Sequence, residues 1–95
     1  MKNYNEILEN IENKNECTVK ISLNTVQKVK DFTNQIVKAT CDCDIVTESR
    51  RYIIDAKSIM GIFSLDLSTN LILYIHATDD AELNAVRDLV KDFAV

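Results

Sequence analysis

Proline is absent from this chain, and glycine occurs once in 95 residues, at Gly61. Flexible linkers draw on glycine, serine or proline, so the composition offers no hinge at which to divide the chain. Imidazole is equally scarce, with His76 standing alone. Three cysteines, Cys17, Cys41 and Cys43, are an odd and small number, which predicts reduced loop thiols and not a disulfide framework. The pair Cys41-Asp42-Cys43 is half of a metal site without its complement, so no metal and no cofactor is expected. A basic excess is lacking too. Eleven Lys and Arg stand against fifteen Asp and Glu, for a net charge of -4. Duplex nucleic acid and anionic membrane surfaces are therefore excluded as expected partners, since both reward clustered positive charge. No apolar run is as long as a membrane span, and residues 1–6 do not lead into a signal-peptide core, which predicts a cytoplasmic protein.

What is present is an ordinary globular composition, 46% apolar and 27% charged. A chain of this length supports one core and one domain. Tyr4, Ile7, Leu8 and Ile11 recur at helical spacing, so residues 1–16 read as an N-terminal extension with one faint helix. Residues 17–95 read as the domain proper. From Thr18 to Leu23 the side chains alternate, with Val19, Ile21 and Leu23 on one side, as in a half-buried strand. Asn24 then serves as an N-cap with Gln27 as its capping-box partner, and Val26, Val29, Phe32, Ile36 and Val37 form the buried stripe of a helix to about residue 39. Residues 45–48 and 51–56 form a hairpin around Ser49-Arg50. A strand over 71–77 follows, and Thr78-Asp79-Asp80 caps a last helix striped by Leu83, Val86, Leu89, Val90 and Phe93. The order is β-α-β-β-α-β-α, an α+β sandwich.

Between the hairpin and the fourth strand lies the run Ile54-Asp55-Ala56-Lys57-Ser58-Ile59-Met60-Gly61-Ile62-Phe63-Ser64-Leu65. Ser58 is placed as an N-cap, its hydroxyl accepting from the amide of Met60 or Gly61 at the head of a short apolar helix. The run resembles, nearly letter for letter, the regulatory-serine segment of HPr, the small phosphocarrier of the bacterial sugar phosphotransferase system. A weaker resemblance extends from Cys17 to the C-terminus. It implies an open-faced β-sandwich with a four-stranded antiparallel sheet in the order 1-4-2-3 and three helices on one face. It also implies that Ser58 is a regulatory phosphorylation site and that Lys57, Ile59, Met60 and Phe63 form a partner-docking surface.

The second signature of that family, Gly-(Leu/Ile)-His-Ala-Arg-Pro-Ala, is missing. Counting back from Ser58 puts Gln27 where the phosphorylatable histidine belongs, Lys28 at the alanine, Val29 at the arginine and Lys30 at the proline. An amide has no nucleophilic ring nitrogen, and loss of the arginine removes the cation that would hold a phosphoryl group. His76 reads as a surface histidine in mid-strand, and the carboxylates Asp42, Asp44, Asp66, Asp79, Asp80 and Glu82 lack metal-loop spacing. No catalytic residue is assigned and no enzyme activity is expected.

These readings converge on a non-phosphohistidine, HPr-like regulatory module of a bacterial cytoplasm. Its implied partners are an HPr-type serine kinase/phosphatase and a transcriptional regulator or metabolic enzyme. The alternatives are a true phosphocarrier, or a small α+β scaffold that binds a ligand or itself through its open sheet. That last reading comes from the alternation: Val46, Ile53, Ile72 and Tyr74 fall on the sheet face left bare by the helices. Either the N-terminal helix covers them or they form a homodimer interface.

Overall fold

The computed structural model describes residues 4–13 and 17–95. Four strands, β1 (Thr18–Ile21), β2 (Cys43–Thr47), β3 (Ile53–Asp55) and β4 (Leu71–Ile75), form one sheet in the order β1-β4-β2-β3, each neighbouring pair antiparallel. Between and after them come α2 (Val26–Ile36), α3 (Ile59–Phe63) and α4 (Asp80–Val90), with a closing 3-10 turn over Lys91–Phe93. Helix α1 (Tyr4–Asn13) precedes the sheet.

Alternation along the strands sorts the apolar residues into two cores. On one side Ile21, Leu23, Cys43, Ile45, Leu71, Leu73 and Ile75 meet Val29, Phe32 and Ile36 of α2, Ile62 of α3, and Leu83, Val86 and Val90 of α4. Phe93 closes this core with its ring edge-on to Phe32, centroids 5.5 Å apart. Backbone bonds from Ser22 to the Phe93 carbonyl and from Val95 to the Lys20 carbonyl tie the chain end along the outer edge of β1.

The other sheet face is not open. Ile7 and Ile11 of α1 are buried against Val46 and Tyr74, with Leu8, Cys17, Ile53 and Ile72 packed around them. The Tyr4 side chain, expected in the same stripe, lies outside the described residues, as do residues 14–16. Of the two arrangements expected for this face, the structure shows the first: the chain's own helix occupies those apolar residues, and covering them within one molecule costs no association entropy.

Three local expectations also change. The N-cap of α2 is Thr25, not Asn24; its backbone is extended (φ -135, ψ 155) and its hydroxyl accepts from the Lys28 amide at 3.1 Å. With the cap one residue later, Gln27 is in the second helical position, where it cannot reach back as a capping-box partner. It donates forward instead, to Asp31 Oδ1 at 2.8 Å. The hairpin strands are shifted relative to the sequence reading, and Arg50 takes up a left-handed conformation (φ 60) in the turn, its amide donating to the Thr47 carbonyl at 2.8 Å. Cys43 is no loop thiol: it lies in β2 and is wholly buried.

Candidate functional site

The β3–α3 junction is built from short-range bonds that its sequence dictates. Asp55 Oδ1 accepts from the Lys57 amide at 2.9 Å, and the Ser58 amide donates to the Asp55 carbonyl at 3.0 Å, so the chain turns sharply as it leaves β3. Ala56 is buried inside the bend, its amide donating to the Cys43 carbonyl at 2.9 Å. Ser58 emerges in an extended conformation (φ -97, ψ 101), and its Oγ accepts from the Gly61 amide at 3.2 Å. Capping therefore selects the second of the two amides open to it.

Gly61 belongs to the same unit. A Cβ at that position would stand 3.1 Å from Ser58 Oγ and 3.3 Å from Ile54 Cδ1, so the bare α-carbon gives the serine hydroxyl its room. At the far end Ser64 Oγ donates back to the Gly61 carbonyl at 2.6 Å, closing a helix of only five residues. One side chain anchors it: Ile62 is wholly buried in the main core. Ile59, Met60 and Phe63 are 38%, 77% and 40% exposed, and Ser58 beside them is exposed. An apolar surface of three large side chains thus borders an accessible hydroxyl.

Lys57 has an intramolecular partner. It is half-buried, and its ammonium donates to the Ala39 carbonyl at 3.0 Å, tying the site to the segment after α2. In the free molecule this cation braces the site.

The residues aligned with the phosphohistidine signature lie along α2. Gln27, Lys28 and Lys30 are exposed, whereas Val29, which stands where the arginine would be, is wholly buried in the main core. That position therefore turns its side chain away from any surface site. An open cavity of about 420 Å³ lies between α2 and the C-terminal turn, lined by Lys28, Asp31, Asn34, Gln35, Asp92 and Phe93, and it includes neither Ser58 nor Gln27.

A pairing that sequence reading missed involves His76. The residue follows the end of β4 and is not in mid-strand, its amide donating to the Asp42 carbonyl at 2.9 Å. Its Nε2 lies 2.6 Å from Oδ2 of Asp44, whose side chain is 2% exposed against 30% for the histidine. The imidazole also stands edge-on to the Tyr74 ring, with centroids 4.6 Å apart. Strand pairing puts Asp44 opposite Tyr74, with His76 two residues further along the same face. Among the described residues, no three His, Cys, Asp or Glu side chains gather into a metal shell, and no helix is long and apolar enough to cross a membrane.

An antiparallel β1-β4-β2-β3 sheet backed by three helices, with a serine-capped short helix after its hairpin, defines the HPr-like α+β class. Residues 9–94 match the family model described as the phosphotransferase-system HPr component phosphorylation site. The chain belongs to the HPr family, whose members are phosphocarrier proteins of the phosphotransferase system. Among solved structures, the crystal structure of HPr-C-His from Thermoanaerobacter tengcongensis is similar, with a TM-score of 0.60 and 22% identity over 79% of this chain and 91% of that one. No curated protein sequence matches the chain.

Proposed function

We propose that this HPr-family protein is a bacterial cytoplasmic regulator that works by binding and carries no phosphoryl group on residue 27, with Ser58 as its control point. One observation carries the reading: an accessible serine hydroxyl directly adjoins the exposed surface of Ile59, Met60 and Phe63. An HPr-type serine kinase would transfer the terminal phosphoryl of ATP to Ser58 Oγ, forming the O–P bond as the bond to ADP breaks and the hydroxyl proton leaves. The product brings about -1.5 to -2 charges to the edge of an apolar docking surface. A partner that buries Met60 and Phe63 would then have to desolvate that charge or supply a cation to meet it. The same modification would suit a partner with an arginine at that place, which makes the site a selector between transcriptional regulators or metabolic enzymes.

Treatment with an HPr-type serine kinase/phosphatase and ATP, read by intact mass, tests the control point: a gain of one phosphoryl group, abolished by Ser58→Ala, is expected. Pull-downs with the unmodified and the phosphorylated chain test the binding role. Failure of the wild-type protein to gain mass would reduce Ser58 to a helix cap.

A second reading, phosphoryl carriage on His76, is favoured by the Asp44 pairing. A carboxylate on Nε2 selects the tautomer that leaves the lone pair on Nδ1. Incubation with enzyme I and labelled phosphoenolpyruvate separates the two readings, because acid-labile, base-stable label could sit only on the single histidine.

A further inference from the structure

We propose that the free edge of β3 pairs with the same edge of a second copy of this chain, in a two-fold antiparallel register centred on Ile53 that sets Arg51 of each copy against Asp55 of the other. The chain treats the edges of its sheet differently. Along β1 the edge is occupied from within, by the bridge of Ala94 to Ile21 and the bond from the Val95 amide to the Lys20 carbonyl. On the β3 side, the Thr47 amide donates to the Tyr52 carbonyl at 3.2 Å and the Ala56 amide to the Cys43 carbonyl at 2.9 Å, so Tyr52, Ile54 and Ala56 turn their backbone groups toward β2. The alternation of an antiparallel ladder then points the amides and carbonyls of Ile53 and Asp55 outward. The Asp55 carbonyl is taken by the Ser58 amide, whereas the Ile53 amide and carbonyl and the Asp55 amide meet no partner among the described residues. An exposed row of this kind is a template for a further strand.

The side chains along this edge decide which strand fits. The segment Arg51-Tyr52-Ile53-Ile54-Asp55 carries opposite charges at its ends and apolar side chains between them, so it is complementary to itself when reversed. With Ile53 opposite Ile53, the outward amide and carbonyl of that residue are exchanged between the copies, and each Asp55 amide meets the Arg51 carbonyl of the other copy. Tyr52, 62% exposed, falls opposite Ile54 of the second copy, a residue half-buried at the margin of the main core. Facing pairs of an aromatic with a β-branched side chain, and of unlike charges, are those that stabilise a sheet. A slip of two residues in either direction separates the charges, which fixes the register. So short a contact lies at the small end of specific interfaces, and the pair therefore exchanges with the monomer. The proposal uses the sheet edge and not the Ser58 hydroxyl, so it stands apart from phosphorylation of that residue.

Sedimentation of the full-length protein over a concentration series up to about 1 mM tests this, since an association of millimolar affinity is still seen there. A reversible monomer–dimer equilibrium is expected, and a monomer throughout would overturn the proposal. Ile53→Pro removes the outward amide at a position where an edge strand tolerates proline, and is expected to abolish the dimer while the cooperative thermal melt persists. Arg51→Asp alters an exposed side chain and sets like charges opposite each other at both ends of the pair, so it is expected to weaken the dimer at least about tenfold. Asp55→Arg is expected to do the same alone. An equimolar mixture of R51D and D55R is expected to dimerise again, because only the mixed pair restores unlike charges at both ends. A dimer indifferent to I53P or to R51D would lie on another surface and overturn the edge pairing, and folded R51D and D55R that fail to associate when mixed would overturn the register. Asp55 Oδ1 also holds the Lys57 amide; should D55R lose its melt, R51D decides alone, and a dimer that it leaves unweakened overturns the proposal.

Discussion

At the scale of single residues, Ser58 and Gly61 act as one unit. The serine hydroxyl bonds the Gly61 amide, and a methyl group on Gly61 would press on that same hydroxyl at 3.1 Å. Alanine ordinarily improves a helix over glycine by about 1 kcal/mol. Here crowding opposes that gain, so Gly61→Ala is expected to be more favourable in a Ser58→Ala background than in wild type. Urea midpoints of the four proteins in this cycle should show a coupling of at least about 0.5 kcal/mol; strict additivity would mean that the two side chains do not compete for space. The Asp44–His76 pair is the other residue-scale device, a buried carboxylate held at 2.6 Å by a partly exposed imidazole. Hydrogen bonds to charged groups contribute about 1.5–3 kcal/mol, so His76→Ala should destabilise by that order. Its thermal melt should fall clearly below those of substitutions at exposed Gln27 or Lys30. Ser58 and its cap were legible in the sequence because capping joins residues three apart. The Asp44–His76 pair was not, because a contact across 32 positions depends on which strands lie side by side.

At the scale of elements, helix ends settle questions that apolar stripes leave open. The stripe of α2 was readable from Val29, Phe32 and Ile36, but its start was not. Asn24 and Thr25 are both competent caps, and only the backbone shows that Thr25 is the extended residue whose oxygen meets the third helical amide. Thr25→Ala should cost about 1 kcal/mol, whereas Asn24→Ala should stay within about 0.5 kcal/mol. Chemical denaturation of the two variants reads this directly, and a larger loss for Asn24 would restore the earlier cap. Helix α4 shows the opposite case. Asp79 Oδ1 accepts from the Glu82 amide at 2.8 Å, and Glu82 Oε1 accepts from the Thr78 amide at 2.9 Å, as the acidic Thr-Asp-Asp start announced. Glu82 does more than cap, for its second oxygen accepts from Thr40 Oγ1 at 3.1 Å and joins α4 to the loop before β2. Short elements were the least legible. Strand β3 has three residues and α3 has five, too few for a period to declare itself, and their ends are set by the turn bonds of Asp55 and Ser64.

At the scale of the whole molecule, the sheet is packed on both sides, which makes its strand β2 buried along its entire length. One consequence can be titrated. Burial pushes the Cys43 thiol up from about 9 to about 12, and burial together with the charge of Glu82 raises Cys41 as well. A thiol whose folded pKa lies above its unfolded value holds its proton in the native state after the unfolded chain has lost it. The associated stability is complete below about pH 9 and is lost as pH rises toward about 12. Urea midpoints taken between about pH 8 and about pH 10.5 should fall more steeply for wild type than for Cys43→Ala; parallel slopes would show that the buried thiol is not the source. Much of this architecture was determined by the sequence alone. Alternation and helical stripes are local periodicities, so they specified the strands, the helices and the serine cap without reference to distant residues. The letters of residues 54–65 announced the family before any coordinate did. Only the tertiary structure decided that α1 lies across the second face, that Asp44 holds His76, and that the Lys57 ammonium meets the Ala39 carbonyl after α2. Each of these depends on which surfaces meet once the chain has closed, and a linear pattern carries no record of that.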